Sequence, residues 1–327
     1  MTRNRLFTIT LVGIAALFFP MIFQDSYTRH LAILALIFAV IVSNWDLSLG
    51  FAGLFNFGHT TFFGVGVYTA AILAKTFEVN PWLAMIAGGL SAAVVAVIIA
   101  APVAKLKGIY VVLVTFAFSQ LALQLVLSQG QITGGAEGMV RIPSLRIGDY
   151  NFARDFKLGY YYTALGLTAI STTFLLLVAR SPFGKSLRAV RDNEDYATAR
   201  GISVARQRIL VLVVSAIFTG IAGGFYAVYL RVASPEVFGF ATLSLALSMV
   251  LIGGTGTIIG PIFAALVLTF VSEGMAGIRG FEEARFIVIA VTMIAILRIA
   301  PGGAIDLMSK AVSIGRPPPT DLKSKNT

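Results

Sequence analysis

Long stretches without Asp, Glu, Lys or Arg alternate along the chain with short charged connections. The uncharged windows are 6–24, 31–45, 47–74, 79–104, 108–136, 158–179, 209–230, 237–272 and 286–297. About 20 mostly apolar residues in a helix cross the hydrocarbon core of a bilayer. Most windows reach that length alone or nearly so, and 237–272 has room for two passes. Runs such as Leu210–Tyr229 are apolar on every face, and the alternating ten-residue strands of an outer-membrane barrel are absent. The pattern predicts an all-α, polytopic transmembrane helical bundle of 8–10 spans. The first window follows Met1-Thr2-Arg3-Asn4-Arg5. It is long and no small-x-small cleavage site follows it, so it reads as a retained first span within residues 1–27.

Two windows are interrupted. Between Asp46 and Gly58 the glycines 50, 53 and 58 break the helical pattern. Irregular backbone is tolerated at membrane depth only when buried in protein or lining a cavity, so Asn44–Phe57 is expected to dip in and return. Sliding the sequence by 196 residues pairs Leu47-Ser48-Leu49 with Leu243-Ser244-Leu245, Gly58 with Gly254, Thr61 with Thr257 and Gly64 with Gly260. The charge count gives the spans that lead into the two copies opposite directions, as in an inverted internal repeat. Gly-rich breaks at matching places point to a transporter's substrate path; the alternative is close helix packing through small residues.

Composition agrees with a lipid environment: 57% of residues are hydrophobic and 12% charged, too few polar residues to cover a soluble globule. The net charge of +10 lies in short connections between apolar spans, where it acts as a topology signal rather than a nucleic-acid footprint. Segment 180–208 carries Arg180, Lys185, Arg188, Arg191, Arg200, Arg206 and Arg208 against Asp192, Glu194 and Asp195, which places it in the cytoplasm. Arg3 and Arg5, and a tail with Arg298, Lys310, Arg316, Lys323 and Lys325, are expected on the same side. That parity requires Leu243–Gly256 to cross fully.

The chemistry is sparse. With no cysteine there are no disulfides or thiolate ligands, and His30 and His59 make no convincing metal site. No Gly-x-x-x-x-Gly-Lys-Ser/Thr loop is present to hold nucleotide phosphates, and no catalytic constellation is visible. His59 is the one ionisable residue inside a long apolar window, with Asn56, Thr60 and Thr61 beside it. Gln120, Gln124 and Ser128 recur every four residues and form one polar strip. In the basic segment, Ser181 suits an N-cap with Pro182 at the first helical position, and Phe183, Leu187 and Val190 form an apolar stripe. A second short helix begins at Asn193, with Glu194 and Asp195 at its positive end, and Gly201 ends it.

Several phrases together resemble a family. Ser48-Leu-Gly-Phe-Ala-Gly53, Phe57-Gly-His-Thr-Thr-Phe-Phe-Gly64, Lys107-Gly-Ile-Tyr110 and Thr133-Gly-Gly-Ala-Glu-Gly138 come first, followed by Ser181-Pro-Phe-Gly-Lys-Ser-Leu-Arg188, Gly220-Ile-Ala-Gly-Gly224 and Gly253-Gly-Thr-Gly-Thr-Ile-Ile-Gly-Pro261. In this order they resemble the branched-chain amino acid ABC permeases of the LivM type, over about residues 28–300. The resemblance implies a bacterial inner-membrane importer with two homologous permease subunits, two cytoplasmic ATPase subunits and a periplasmic solute-binding protein. This chain would be one permease, without a cofactor of its own. It would be a single domain, with a first repeat half and outer loop at 28–157, a coupling loop at 180–208, a second half at 209–300 and a tail at 301–327. Phe183, Lys185, Leu187, Arg188, Arg191, Asp192, Glu194 and Gly201 would then serve ATPase coupling. Ser48, Asn56, His59, Thr60, Thr61, Gln120, Gln124, Thr255 and Thr257 are the pathway candidates. The sequence departs from the family pattern at Leu54 and Thr60, and permeases for urea or short amides belong to the same group. An ion-coupled carrier is the reading from another class; it would place acids inside spans, whereas Asp46 and Glu273 stand at window borders.

Overall fold

The computed structural model describes residues 16–148, 150–152, 157–276 and 284–299. Most of the expected first span and the whole tail 301–327 lie outside the described residues. Residues 16–22 are helical. Then follow α1 (Ser26–Asp46), α2 (His59–Lys75), α3 (Pro81–Val103), α4 (Ile109–Ser128), the single turn α5 (Gly130–Thr133) and α6 (Leu158–Arg180). The chain continues with α7 (Pro182–Asp192), α8 (Glu194–Ala199), α9 (Val204–Leu230), α10 (Phe240–Gly253), α11 (Ile259–Ala276) and α12 (Ala284–Ile299). Four two-residue strands, β1 (Met139–Val140), β2 (Arg146–Ile147), β3 (Tyr150–Asn151) and β4 (Val232–Ala233), form two antiparallel ribbons, β1 with β4 and β2 with β3.

The helices begin where local chemistry allows it. The Asp25 side chain accepts the Thr28 N–H at 3.0 Å, a bond that holds its carboxyl below the usual carboxylate range. Asn80 caps α3 in the same way, with Pro81 at the first position. The windows 79–104, 108–136, 158–179 and 209–230 become α3, α4, α6 and α9, and with 26–51 these make five helices long and apolar enough to cross a membrane. Among the described residues, the expected eight to ten crossings therefore rest on these five and on the shorter α2, α10, α11 and α12.

Burial sorts the helices. The apolar window of 26–51 is 94% buried, whereas those of α4 and α6 are 28% buried, so α1 is the central post and α4 and α6 face outward. Around it, α2, α3 and α9 pack through glycine. A Cβ on Gly66 would run into the Gly220 backbone, and one on Gly88 would stand 2.9 Å from the Gly66 carbonyl. Side chains at these positions would hold the backbones apart.

The two ends of the bundle differ. At the basic end, Arg208 on α9 donates to the Leu106 carbonyl at 2.6 Å, joining α9 to the α3–α4 turn. At the opposite end, His30 meets the Tyr229 hydroxyl at 2.6 Å, Tyr27 donates to the Glu273 carbonyl, Trp82 donates to the Arg146 carbonyl, and both ribbons are found. The β1–β4 ribbon ties the loop after α4 to the segment that leads into α10.

Both interruptions exist, but their form differs from the expectation. The helix does not stop at Asp46: it continues to Phe51 as a wider π-turn (Leu47–Phe51), whose Leu47 and Phe51 are buried in the core. Only 52–58 is irregular. The second break is the turn 254–258. The expected inversion is also corrected. α1 and α9 are antiparallel, as the charge count requires, with His30 beside Tyr229 near the start of one and the end of the other. The second copy, however, begins with α10, which starts beside Leu34 and Phe38 of α1 and ends at the turn held by Asp46. α10 thus runs in the same direction as α1, and the two copies are parallel in this register.

Candidate functional site

The two breaks meet. Asp46 is wholly buried, and its carboxylate accepts three backbone N–H bonds from the second break: from Gly256 at 2.6 Å, Thr257 at 3.0 Å and Ile258 at 2.8 Å. Positive φ angles at Gly254, Gly256 and Ile258 curl this turn so that successive amides point one way, a concave array suited to an anion. Thr257 holds the curl by donating to the Gly254 carbonyl at 2.8 Å and accepting from Gly260. Gly50, one turn beyond Asp46, lies so close that a Cβ on it would strike the Gly256 backbone. The approach of two backbones is what fixes glycine here.

Beside this junction the first break closes on itself. Trp45 donates to the Asn56 carbonyl at 2.9 Å and stacks on His59 with ring centres 5.3 Å apart. Asn56 donates to Ser48 and to the Leu54 carbonyl, each at 3.0 Å, and its Oδ1 faces His59 Nδ1 at 3.1 Å. Two α4 hydroxyls complete it: Thr115 accepts the Phe57 N–H at 2.9 Å, and Ser119 pairs with Thr60 at 3.2 Å. The backbone groups freed by the missing helical turn are thus met by side chains, which removes the penalty of burying them bare. Ser48, Asn56, His59 and Thr60 form one buried knot, and Thr61 is buried next to it. Gln120 and Gln124 do not join them: Gln120 is half-buried and Gln124 exposed on the outward-facing α4. Thr255 is exposed and Thr257 belongs to the second break. The pathway candidates therefore divide among a buried knot at the first break, an outlying polar strip on α4 and the second break.

The basic loop folds as its sequence predicts. Ser181 accepts the Gly184 N–H and Pro182 opens α7; Asn193 accepts the Tyr196 N–H at 2.8 Å and opens α8; Gly201 at φ 83° ends it. Leu187 and Val190 are buried and Phe183 packs against the same core, so the stripe faces the bundle, and Phe183 and Leu187 seat the helix rather than greet a partner. Lys185, Asp192 and Gly201 are exposed, with Asp195 and Tyr196 beside them. Arg188 is exposed too but leans over the Phe51 ring at 4.8 Å. Arg191 donates to the Gly50 carbonyl at 2.7 Å and, through its other nitrogens, to Asp192. Glu194 is drawn inward, pairing with Arg208 and, at 3.0 Å, with Lys107. α7 is thereby fastened to the π-turn of α1, and α8 to α9 and the α3–α4 turn.

Sequence reasoning missed Asp46, Trp45, Thr115, Ser119 and Arg208. Asp46 stood at a window edge, and its partners are backbone amides, which carry no residue signature.

A bundle of helices long and apolar enough to cross a membrane, broken where two segments meet and clasped at that junction by a basic amphipathic helix, has the make-up of a polytopic membrane subunit. Residues 27–297 match the model of the family described as branched-chain amino acid transport system, permease component. The chain belongs to that family. It is 28% identical over 326 residues to the high-affinity branched-chain amino acid transport system permease protein LivM of Escherichia coli K12, covering 93% of this chain and 76% of the relative. It is 24% identical to the LivH permease of the same organism, over 81% of this chain and 90% of the relative. The guanosine ABC transporter permease NupQ of Bacillus subtilis is 23% identical over 54% of this chain and 59% of the relative. No solved structure matches. The family and the apolar helices make this a multi-pass inner-membrane permease, and similarity to both LivM and LivH indicates a permease pair within an ABC transport system.

Proposed function

We propose that this chain is one permease of an ATP-driven importer for branched-chain or related amino acids. It works beside a homologous second permease, two cytoplasmic ATPase subunits that hydrolyse the ATP, and a periplasmic solute-binding protein. The basic end faces the cytoplasm, with both termini on that side. The observation that carries the reading is the family match over 27–297, joined to a basic helix pair whose Arg191 reaches the π-turn of α1. An ATPase pressing on the exposed side of α7 and α8, at Lys185, Asp192 and Gly201, moves a helix already fastened to the first break. Leu187 and Phe183 turn that motion into displacement of the core beneath.

The cargo follows the relatives' names, which span amino acids and a nucleoside. Urea and short amides remain the alternative cargo. The test is to purify the assembled transporter, reconstitute it, and measure ATP hydrolysis and uptake with binding protein loaded with leucine, urea or no solute. Leucine-stimulated hydrolysis together with uptake is expected. Uptake driven by an ion gradient in vesicles holding this chain without ATPase subunits would overturn the reading in favour of an ion-coupled carrier. The interior position of Asp46 is the observation that favours that carrier; against it, both carboxylate oxygens are occupied by amide donors.

A further inference from the structure

The buried acid at the meeting of the breaks has no part in a reading confined to α7. A carboxylate out of water is costly unless its lone pairs are met, and here all three donors come from a turn more than two hundred residues away in sequence. The bond therefore holds α1 to the α10–α11 corner and nothing closer. Arg191 converges on the same region: its guanidinium binds the Gly50 carbonyl and lies 3.5 Å from where a Gly256 Cβ would stand. One residue of the coupling helix thus binds the π-turn that leads into the first break and stands close to the second, and the acid joins α1 to that second break.

We propose that Asp46 is a positioning residue for transport: its carboxylate, seated on the 256–258 amides beside Arg191, is the latch that makes the two breaks move together when α7 is driven. This deepens the proposed function and rests on its ATP-driven coupling. Asp46 touches no cargo in this role. It converts displacement of α1 into displacement of α10 and α11.

The chain has no native cysteine, and Thr255 at the rim of the latch is exposed, so Thr255→Cys gives this chain a single reporter thiol, read on its own band after the subunits are separated. The experiment uses the whole reconstituted transporter with this reporter, with and without Asp46→Asn, which keeps the shape of the side chain and loses an acceptor oxygen. Two quantities are read: solute moved per ATP hydrolysed, and the rate of maleimide labelling with and without ATP plus vanadate. With Asp46 intact, nucleotide should change the labelling rate. With Asp46→Asn, hydrolysis should persist, solute moved per ATP should fall about tenfold, and labelling should no longer respond to nucleotide. Thr257→Ala loosens the turn without touching the acid, and serves if Asp46→Asn fails to assemble; the same signature in weaker form is expected. Wild-type coupling and nucleotide-dependent labelling in the variant that assembles would overturn the latch. A wild-type complex, without the reporter, that shows no ATP-driven uptake would instead remove the function on which the latch rests.

Discussion

At the scale of single residues, charges in this chain act mainly by holding backbone. Arg208 is buried and binds the Leu106 carbonyl together with Glu194. Removing Glu194 leaves a buried guanidinium without its counter-ion, whereas the exposed Lys107 partner contributes little. Glu194→Ala should cost about 2 kcal/mol, seen as a lower melting temperature in detergent, while Lys107→Ala should leave that temperature nearly unchanged. The sequence announced which residues were polar within apolar surroundings, and His59, Asn56, Thr60 and Ser48 do cluster. It could not announce their geometry. His59 looked like a lone ionisable group at membrane depth, yet its ring lies flat on Trp45 with Asn56 at its Nδ1, a state set by tertiary packing. The four-residue spacing of Gln120 and Gln124 made a strip legible but not the direction it faces.

At the scale of elements, local chemistry was readable wherever it was short-range. Ser181-Pro182, Asn193 and Gly201 start and stop α7 and α8 as their types require, because capping is decided within four residues. The π-turn was not readable: Gly50 inside Leu47–Phe51 and Gly53 just beyond it signal a break, but burial of Leu47 and Phe51 keeps the helix going. The glycines of α2, α3 and α9 belong to this scale as well. Gly66→Val should push α2 from α9 and α3 at a cost of about 1–3 kcal/mol or more, measured as loss of folded, monodisperse protein after extraction. Gly274→Ala, at a site with open space around it, should behave as wild type. Equal yields from both variants would show that the three helices have slack that the contacts deny.

At the scale of the whole molecule, alternation of windows gave the bundle, and charge gave two unlike ends. Orientation in the membrane is tested by single thiols, since none competes. Ile147→Cys, exposed on the β2–β3 ribbon, should react with a membrane-impermeant maleimide added outside spheroplasts; Tyr196→Cys, exposed on α8, should react only after the membrane is opened. The reverse pattern would invert the assigned topology. The parallel course of α1 and α10 was implied by the charge count, since a pass that follows 209–230 runs back like 31–45; the inversion came from comparing the spans that lead into the two copies instead of the copies themselves. The β1–β4 ribbon was hidden, being two residues long on each side.

The bond between Asp46 and residues 256–258 has a further consequence, for biosynthesis. A ribosome delivers α1 to the bilayer long before it has made the amides that neutralise the cost of its acid. Throughout that interval the nascent helix must be sheltered by the insertion machinery or wait at the lipid–water boundary, and only the arrival of the last third of the polypeptide lets it settle. Chains halted before Gly256 should therefore be degraded faster than chains halted just after Ala276, although both contain all five of the longest hydrophobic segments.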